Sequence, residues 1–593
     1  MVKKLGTIFL LSLTVLLLIL VLPLGEFFVT QTKEFLSLLA VLLMIALTGV
    51  NLIVKKTTTI SLSPLTVPLV IFGLVVTASI FFTHSHPVDN ILGFGGVYLS
   101  LVLIVCLGKE LVTKKFSQVF MKYLGVGAAL MSLLSILQSF GYKLSWIYAK
   151  SPIVTAQILG VVLVGYIFLI ANNIKKGVKT TLLSWVVAIL ITAGFGFNIY
   201  SSLPGKPSSP SLPSLAVSWS VALDTVRNPK TAALGVGPNN YHLAYAQFKP
   251  VWTNQTKLWN VQLNRAYNLP LTLLTSAGIL GFIGWLLLVL QILKQVKYNT
   301  SLRKSPTTWM LLALLATQLV LPPFTSLLIL FGLVLTAWLS LPEQNFTVKK
   351  YHRSLMAQIL GIVLVILFVL GSYALGRTTT ADYFFYKANQ AGQTNKMVEM
   401  YQLQQRAVNL NPFLAIYHRR YALTNISLAT ALANKADPTQ EDQENIVNLI
   451  QQSIRESQTS TQLQPADVQN WQVLAQIYNN LAGTITGADQ WAVNSYVQAI
   501  QNSPTDPELR IALGSIFYGV DQFDQAEQLF AQAITLKPDH ANAHYNLANA
   551  LAKQDKLAEA IISYENVLSL VEPSSENYKL AAAELATIQT KLD

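Results

Sequence analysis

Over the first 376 residues, apolar runs of about 18–20 residues alternate with short polar breaks. Eleven such runs lie near 5–22, 35–54, 65–82, 92–108, 119–140, 152–172, 181–199, 268–293, 308–322, 324–341 and 355–376. As helices, runs of that length span a bilayer. The pattern therefore predicts an all-α chain opening with a polytopic membrane helix bundle of about eleven spans. The ninth and tenth runs are short and meet through Pro322-Pro323, which predicts a helical hairpin or a broken pair. The first run follows Met1-Val2-Lys3-Lys4, and Pro-Leu-Gly-Glu-Phe-Phe rather than a small-residue cleavage site follows it. It reads as a retained helix.

One polar break is far longer than the rest, from about residue 200 to 267. Loops of this length are usually functional. Ser201 to Ser214 is rich in Pro, Ser and Gly and reads as irregular. Leu215, Val217, Trp219, Val221, Ala222 and Val226 then recur at near-helical spacing, predicting a helix at the membrane surface. Gly235-Val-Gly237-Pro238-Asn-Asn240-Tyr241-His242 follows. Its glycines and proline permit an unusual turn whose backbone N–H groups can face an anion, or a plain turn between helices.

Beyond residue 376 the pattern changes to a 34-residue offset. Leu513-Gly514 aligns with Leu547-Ala548, Ala526 with Ala560 and Phe530 with Tyr564. A copy with an insertion begins near Asp467 with Trp471, Leu474, Ala475 and Tyr478, and a degenerate one spans Tyr383 to Pro412. Small residues where helices cross, aromatics between them and a closing proline match the tetratricopeptide pattern. The expected division is a membrane domain at 1–376 and a soluble α-helical superhelix at 377–593, with the clearest repeats at 467–573. Such arrays bind peptides or proteins on a concave face. Leu432 to Asn445 reads as a loop or insertion.

Charge sharpens this division. Residues 1–376 hold 27 Lys and Arg against 6 Asp and Glu, and residues 377–593 hold 14 against 22. The net charge of +13 thus comes from membrane-flanking loops and does not imply a nucleic-acid partner. With 52% hydrophobic and 12% charged residues, an ordinary soluble enzyme is excluded. Lysines and arginines fall on alternate loops (Lys3/Lys4, Lys55/Lys56, Lys109/Lys114/Lys115, Lys175/Lys176/Lys179, Lys294 to Lys304, Lys349 to Arg353). The positive-inside rule makes those loops cytoplasmic and puts the N-terminus inside, with the long loop and the repeat tail outside a plasma membrane. Cys106 stands alone, so no intrachain disulfide forms.

Candidate chemistry concentrates on the loop. Arg265 precedes the eighth run; its planar fork suits a diphosphate, and equally it suits an interface anchor beside Tyr267. Arg227, Lys249 and Lys257 are further cations, and His242 and Asp224 further titratable groups. His84 and His86 form an H-x-H without supporting ligands, so no metal site is expected. Gly278 and Gly281 suit close helix packing.

Ala233 to Tyr241, Tyr267-Asn268-Leu269 and Gly278-Ile-Leu-Gly281 together resemble the O-antigen ligase/polymerase family, best over Ser218 to Trp285. That family is similar to bacterial protein O-oligosaccharyltransferases, and some members carry tetratricopeptide tails. The resemblance implies transfer of a polyprenyl-diphosphate-linked glycan to an acceptor on the outer face, without cofactor or metal. It makes Arg265 the donor-binding residue, helped by Arg227, Lys249 or Lys257. Gly235, Gly237, Pro238, Asn240 and Tyr241 would shape the pocket, and Tyr267 and Asn268 would orient the acceptor. The chain departs from the family where Tyr267 occupies the histidine position and where an arginine expected before Trp219 is missing. His242 or another group would then act as base, or little base catalysis is needed, or the chain is a degenerate relative. The competing reading is a non-catalytic membrane scaffold that recruits envelope proteins through its repeats.

Overall fold

The computed structural model describes residues 2–20, 26–54, 57–83, 85–113, 115–140, 151–178, 180–210, 212–341, 347–352 and 355–592. His84, Lys55, Lys56, Lys114, Lys179 and Arg353 lie outside the described residues. Among the described residues the regular structure is helical except for one two-stranded ribbon, and the chain divides into two compact units.

The first unit comprises 1–241 and 265–411. Its helices are α1 (Val2–Ile19), α2 (Glu26–Val54), α3 (Thr66–Phe82), α4 (Pro87–Leu92), α5 (Phe94–Leu111), α6 (Phe116–Ser139), α7 (Pro152–Lys175), α8 (Leu182–Ser201) and α9 (Leu215–Arg227). After the segment that belongs to the second unit, which contains most of α10 (Tyr241–Phe248), come α11 (Leu269–Ser276), α12 (Gly278–Tyr298), α13 (Thr300–Arg303), α14 (Pro306–Val320), α15 (Thr325–Leu339), α16 (Leu355–Gln393) and α17 (Met397–Leu410). Every apolar run is helical. Among the described residues, eight helices are long and apolar enough to cross a membrane, and α3, α14 and α15 are shorter apolar helices. The core is one cluster rich in Leu, Val, Ile and Phe, and every residue of Thr325–Leu339 except Ser326 is buried. Strands β1 (Thr57–Leu62) and β2 (Thr347–His352) pair antiparallel, Thr57 opposite His352. They join two breaks that the charge pattern places on the same side.

Two expectations are corrected. The eighth run is not one helix: it breaks at Ala277, because Gly278 adopts φ +68° and the chain restarts there as α12. In Leu432 to Asn445 the loop is confined to 434–439, between the end of α18 (Ala415–Ala433) and the start of α19 (Gln440–Leu463). Thr439 caps α19, accepting from the Asp442 N–H while the Asp442 carboxylate accepts from the Thr439 N–H. This capping box satisfies two otherwise unpaired donors. The helix begun by the last apolar run continues to Gln393 and α17 folds against it, so the unit extends to residue 411.

The second unit comprises 242–264 and 412–593. Its tail holds α18 (Ala415–Ala433), α19 (Gln440–Leu463), α20 (Val468–Asn480), α21 (Ala488–Asn502), α22 (Pro507–Gly519), α23 (Phe523–Leu536), α24 (Ala541–Lys553), α25 (Leu557–Leu570) and α26 (Glu576–Leu592). These stack as antiparallel pairs. Ala526, Phe530 and Ala533 of α23 are buried with Ala543 and Ala550 of α24, and Ala560 and Tyr564 of α25 with Ala581 of α26. Gly514 has no room for a side chain, since a Cβ would stand 2.7 Å from the Phe530 ring. Small residues at these crossings let backbones approach, as the 34-residue pattern requires.

Candidate functional site

In the first unit the loop motif docks on the break between α11 and α12. Gly235 (φ +71°) and Gly237 (φ +111°) take conformations that glycine reaches without strain. Val236 N–H donates to Thr275 O at 3.0 Å and Gly237 N–H to Ser276 O at 3.0 Å. In return Ile279 N–H donates to Ala232 O at 2.9 Å and Leu280 N–H to Ala233 O at 3.2 Å. A Cβ on Gly235 would stand 2.4 Å from Ser276 C, and one on Gly278 2.4 Å from Ala233 C. The two glycine motifs are thus halves of one backbone contact. The N–H groups of Val236 and Gly237 are spent on carbonyls rather than aimed at an anion. Asn240, fully buried, donates to Ser85 Oγ and to Val236 O at 3.0 Å, and Asn239 donates to the Asp89 carboxylate at 3.3 Å.

Arg265, Tyr267 and Asn268 come together before α11. Asn268 caps the helix, accepting from Leu271 N–H at 3.0 Å and donating to Leu319 O at 3.0 Å. Tyr267 N–H donates to the buried Ser218 Oγ at 2.9 Å, fixing the segment on α9. The half-buried Arg265 guanidinium lies between Phe94 (5.3 Å) and Phe324 (4.8 Å) and donates to Pro323 O at 2.9 Å. Cation–π contacts of this kind contribute about 0.5–2 kcal/mol each, more as water is excluded.

Two polar residues that the sequence reading did not single out interact with it, and a third, Lys33, adjoins Glu34. Glu34 and Tyr98 both interact electrostatically with Arg265. Glu34 accepts from Thr325 Oγ1, and Lys33 donates to Leu17 O and, at 2.7 Å, to Leu20 O. Glu34 Oε2 and Tyr98 Oη are buried without a hydrogen-bond partner among the described residues. One available signal was rarity: Glu34 is one of six acidic residues in the first 376, and it opens an apolar run.

The other candidates stand on other elements. Arg227 is exposed at the end of α9 and pairs with Asp224 at 3.4 Å. His242, Lys249 and Lys257 belong to the second unit. Lys257 is exposed there. Lys249 is buried and donates to Trp259 O at 2.8 Å; burial pulls its ammonium below the usual lysine range, against the opposing pull of Asp506. His86 accepts from Val88 N–H at 3.3 Å as the cap of α4. Among the described residues no group of three His, Cys, Asp or Glu could hold a metal.

The second unit has a site-like feature of its own: the loop segment 242–264 is packed against the repeats. Asn254, fully buried, donates to Thr505 O at 2.7 Å and Leu536 O at 3.2 Å, and Lys537 donates to Asn254 O at 3.2 Å. The Lys537 ammonium lies 5.0 Å from the centre of the Trp259 ring, and His540 meets that ring edge-on at 5.6 Å. Ala246 packs on the cluster around Leu474, Tyr478 and Tyr496.

Stacked helix pairs with small crossing residues define the tail as a tetratricopeptide repeat domain. The family model described as tetratricopeptide repeat matches residues 492–572. The peroxisomal targeting signal receptor of Candida albicans is 30% identical over 96 residues, which are 15% of this chain and 16% of the receptor. This chain therefore spans about a sixth of that relative. A thermophilic tetratricopeptide protein of Thermus thermophilus has 17% identity and a TM-score of 0.26 over 35% of this chain and 99% of its own. The first tetratricopeptide domain of Spaghetti (RPAP3), bound to an HSP90 peptide, has 28% identity and a TM-score of 0.19 over 21% of this chain and 95% of its own.

Proposed function

We propose that the chain is a plasma-membrane glycosyltransferase of a prokaryote, similar to O-antigen ligases and polymerases. It would move a polyprenyl-diphosphate-linked glycan onto an acceptor at the extracytoplasmic face. The observation that carries this reading is the Arg265 cluster. A guanidinium held between two rings at the end of the long loop sits with a carboxylate and a phenol that have unmet hydrogen-bonding capacity. A diphosphate leaving group needs such a cation at the bond that breaks. Arg265 binds the diphosphate, and Asn268 and Tyr267 set the acceptor. Glu34 supplies the carboxylate base that the residue at the family's histidine position, Tyr267, lacks. The acceptor hydroxyl attacks the anomeric carbon, its proton passes to Glu34, and the polyprenyl diphosphate leaves. The pairing of β1 with β2, both carrying breaks assigned to the cytoplasm, supports the orientation.

The test is transfer from a polyprenyl-diphosphate glycan in membranes containing the protein. Arg265→Ala abolishes conjugate formation while the protein still inserts and melts normally. Glu34→Gln lowers turnover by about 10²–10⁴, the range for loss of a general base. Normal turnover in Arg265→Ala would sink the assignment. The tetratricopeptide match favours one second reading, a scaffold in which the repeats recruit envelope proteins. Absence of donor consumption by the wild type across donors and acceptors would favour that scaffold.

A further inference from the structure

Within the second unit, α19, α20 and α21 line an open cavity of about 690 Å³, inside the range of about 300–1,000 Å³ for small-molecule sites. Nine residues line it and none is charged. Trp471, Tyr478 and Trp491 supply ring surface, while Gln458, Asn494 and Gln498 supply amides. Two of these groups have their orientation fixed. Trp471 Nε1–H donates to Pro465 O at 2.7 Å, so the tryptophan offers the cavity its ring and not its donor. Gln458 Nε2 donates to Tyr478 Oη at 3.0 Å, which turns the amide toward that ring. Tyr478 and Trp491 stand 5.3 Å apart with planes inclined by 51°, and Trp491 remains 46% exposed.

We propose that this cavity binds a neutral oligosaccharide. A pyranose ring has an apolar C–H face and a belt of hydroxyls. Its weakly positive C–H groups match the negative face of an indole or phenol. Its hydroxyls both donate and accept, as carboxamides do, whereas ammonium and carboxylate groups do only one. An acidic or basic peptide would find no counter-charge here, and a phosphate no cation. Gln458, Asn494 and Gln498 are exposed beside the rings, which places uncharged amides that both donate and accept next to stacking surface. This inference stands on the second unit alone and holds whether or not the first unit transfers glycan.

The test uses the full chain in nanodiscs, which avoids sugar-headed detergents, titrated with cellohexaose and chitohexaose while tryptophan fluorescence and heat are followed. At least one oligosaccharide binds saturably with quenching or enhancement of the indole signal. Trp491→Ala weakens binding about tenfold, a factor equivalent to about 1.4 kcal/mol, and leaves the melting curve unchanged because the ring is half-exposed. Trp491→Phe keeps most of the affinity, and Gln498→Ala loses part of it. Failure of both oligosaccharides to bind the wild type overturns the proposal, as does equal binding by Trp491→Ala. Saturable binding of an uncharged tryptophan-containing peptide with neither sugar bound would also overturn it, assigning the cavity to a peptide.

Discussion

Around Gly235 the long loop is held by backbone; from His242 to Asn264 it is held by side chains. In the first stretch, reciprocal N–H···O bonds join residues 232–237 to 275–280, and the contact works because Gly235 and Gly278 lack a Cβ. In the second, a buried asparagine, a lysine and a histidine reach individual carbonyls and one tryptophan ring. The first device is specified by what is missing from the side chains, the second by particular polar groups. The two should therefore fail differently when changed.

The largest effect is expected at the glycine contact. Gly278→Ala places a Cβ 2.4 Å from Ala233 C at a residue with φ +68°. Left-handed strain costs about 1–3 kcal/mol, and overpacking about 1–3 kcal/mol more. The variant is expected to lower the melting temperature of the first unit by many degrees, while amides of 507–570 keep their exchange protection. Gly376→Ala is the milder control, since a Cβ there, within α16, meets nothing within 4 Å. Equal behaviour of the two variants would show that the loop is not held by close backbone approach.

The difference also explains what was legible beforehand. A close backbone contact selects glycine, and glycine stands out in an apolar sequence, so Gly235, Gly237, Gly278 and Gly281 could be marked without coordinates. Their partnership could not, because nothing in the local pattern pairs residue 235 with residue 278. The repeat helices were readable because small residues and aromatics recur at a fixed offset. Asn254 and Trp259 carry no such signal: one asparagine in a polar loop resembles any other until its carbonyl partners are known. Glu34 and Tyr98 escaped for the same reason, since they reach Arg265 from distant apolar runs.

A smaller effect is expected in the second stretch. Asn254→Ala leaves Thr505 O and Leu536 O without that donor, at a cost of about 1–3 kcal/mol. The expected result is faster hydrogen exchange across 251–264 by about tenfold or more, with the melting of the first unit unchanged. Unchanged exchange would mean that Trp259 and Lys537 alone hold the segment, and the contrast between the two stretches would narrow to one of degree.

The smallest effect is a pH dependence of the same contact. His540 Nδ1 accepts from Ala543 N–H at 3.3 Å, so Nε2, 2.9 Å from Glu508 Oε1, is the donor to that carboxylate. This hydrogen bond holds Glu508 below its ordinary value of 4.5. A depressed carboxylate contributes stability that is present above its unfolded value and lost as the pH falls through the lower folded one. Neighbouring Asp506 works in the opposite sense: burial raises it, so its contribution is present at low pH and lost as the pH rises through the raised value. Comparing wild type with Glu508→Gln separates the two, because Asp506 is common to both. Exchange protection around Trp259 and His540 should fall further in the wild type than in Glu508→Gln on acidification from about pH 5 to pH 3, the window that starts just above the ordinary glutamate value and runs below it. Since Glu508 is half-exposed, the difference should be modest and should shrink in salt. Parallel acid curves for the two proteins would remove the Glu508–His540 pair from the forces that hold the loop, leaving Asn254 and the lysine-capped Trp259 ring to account for all of it.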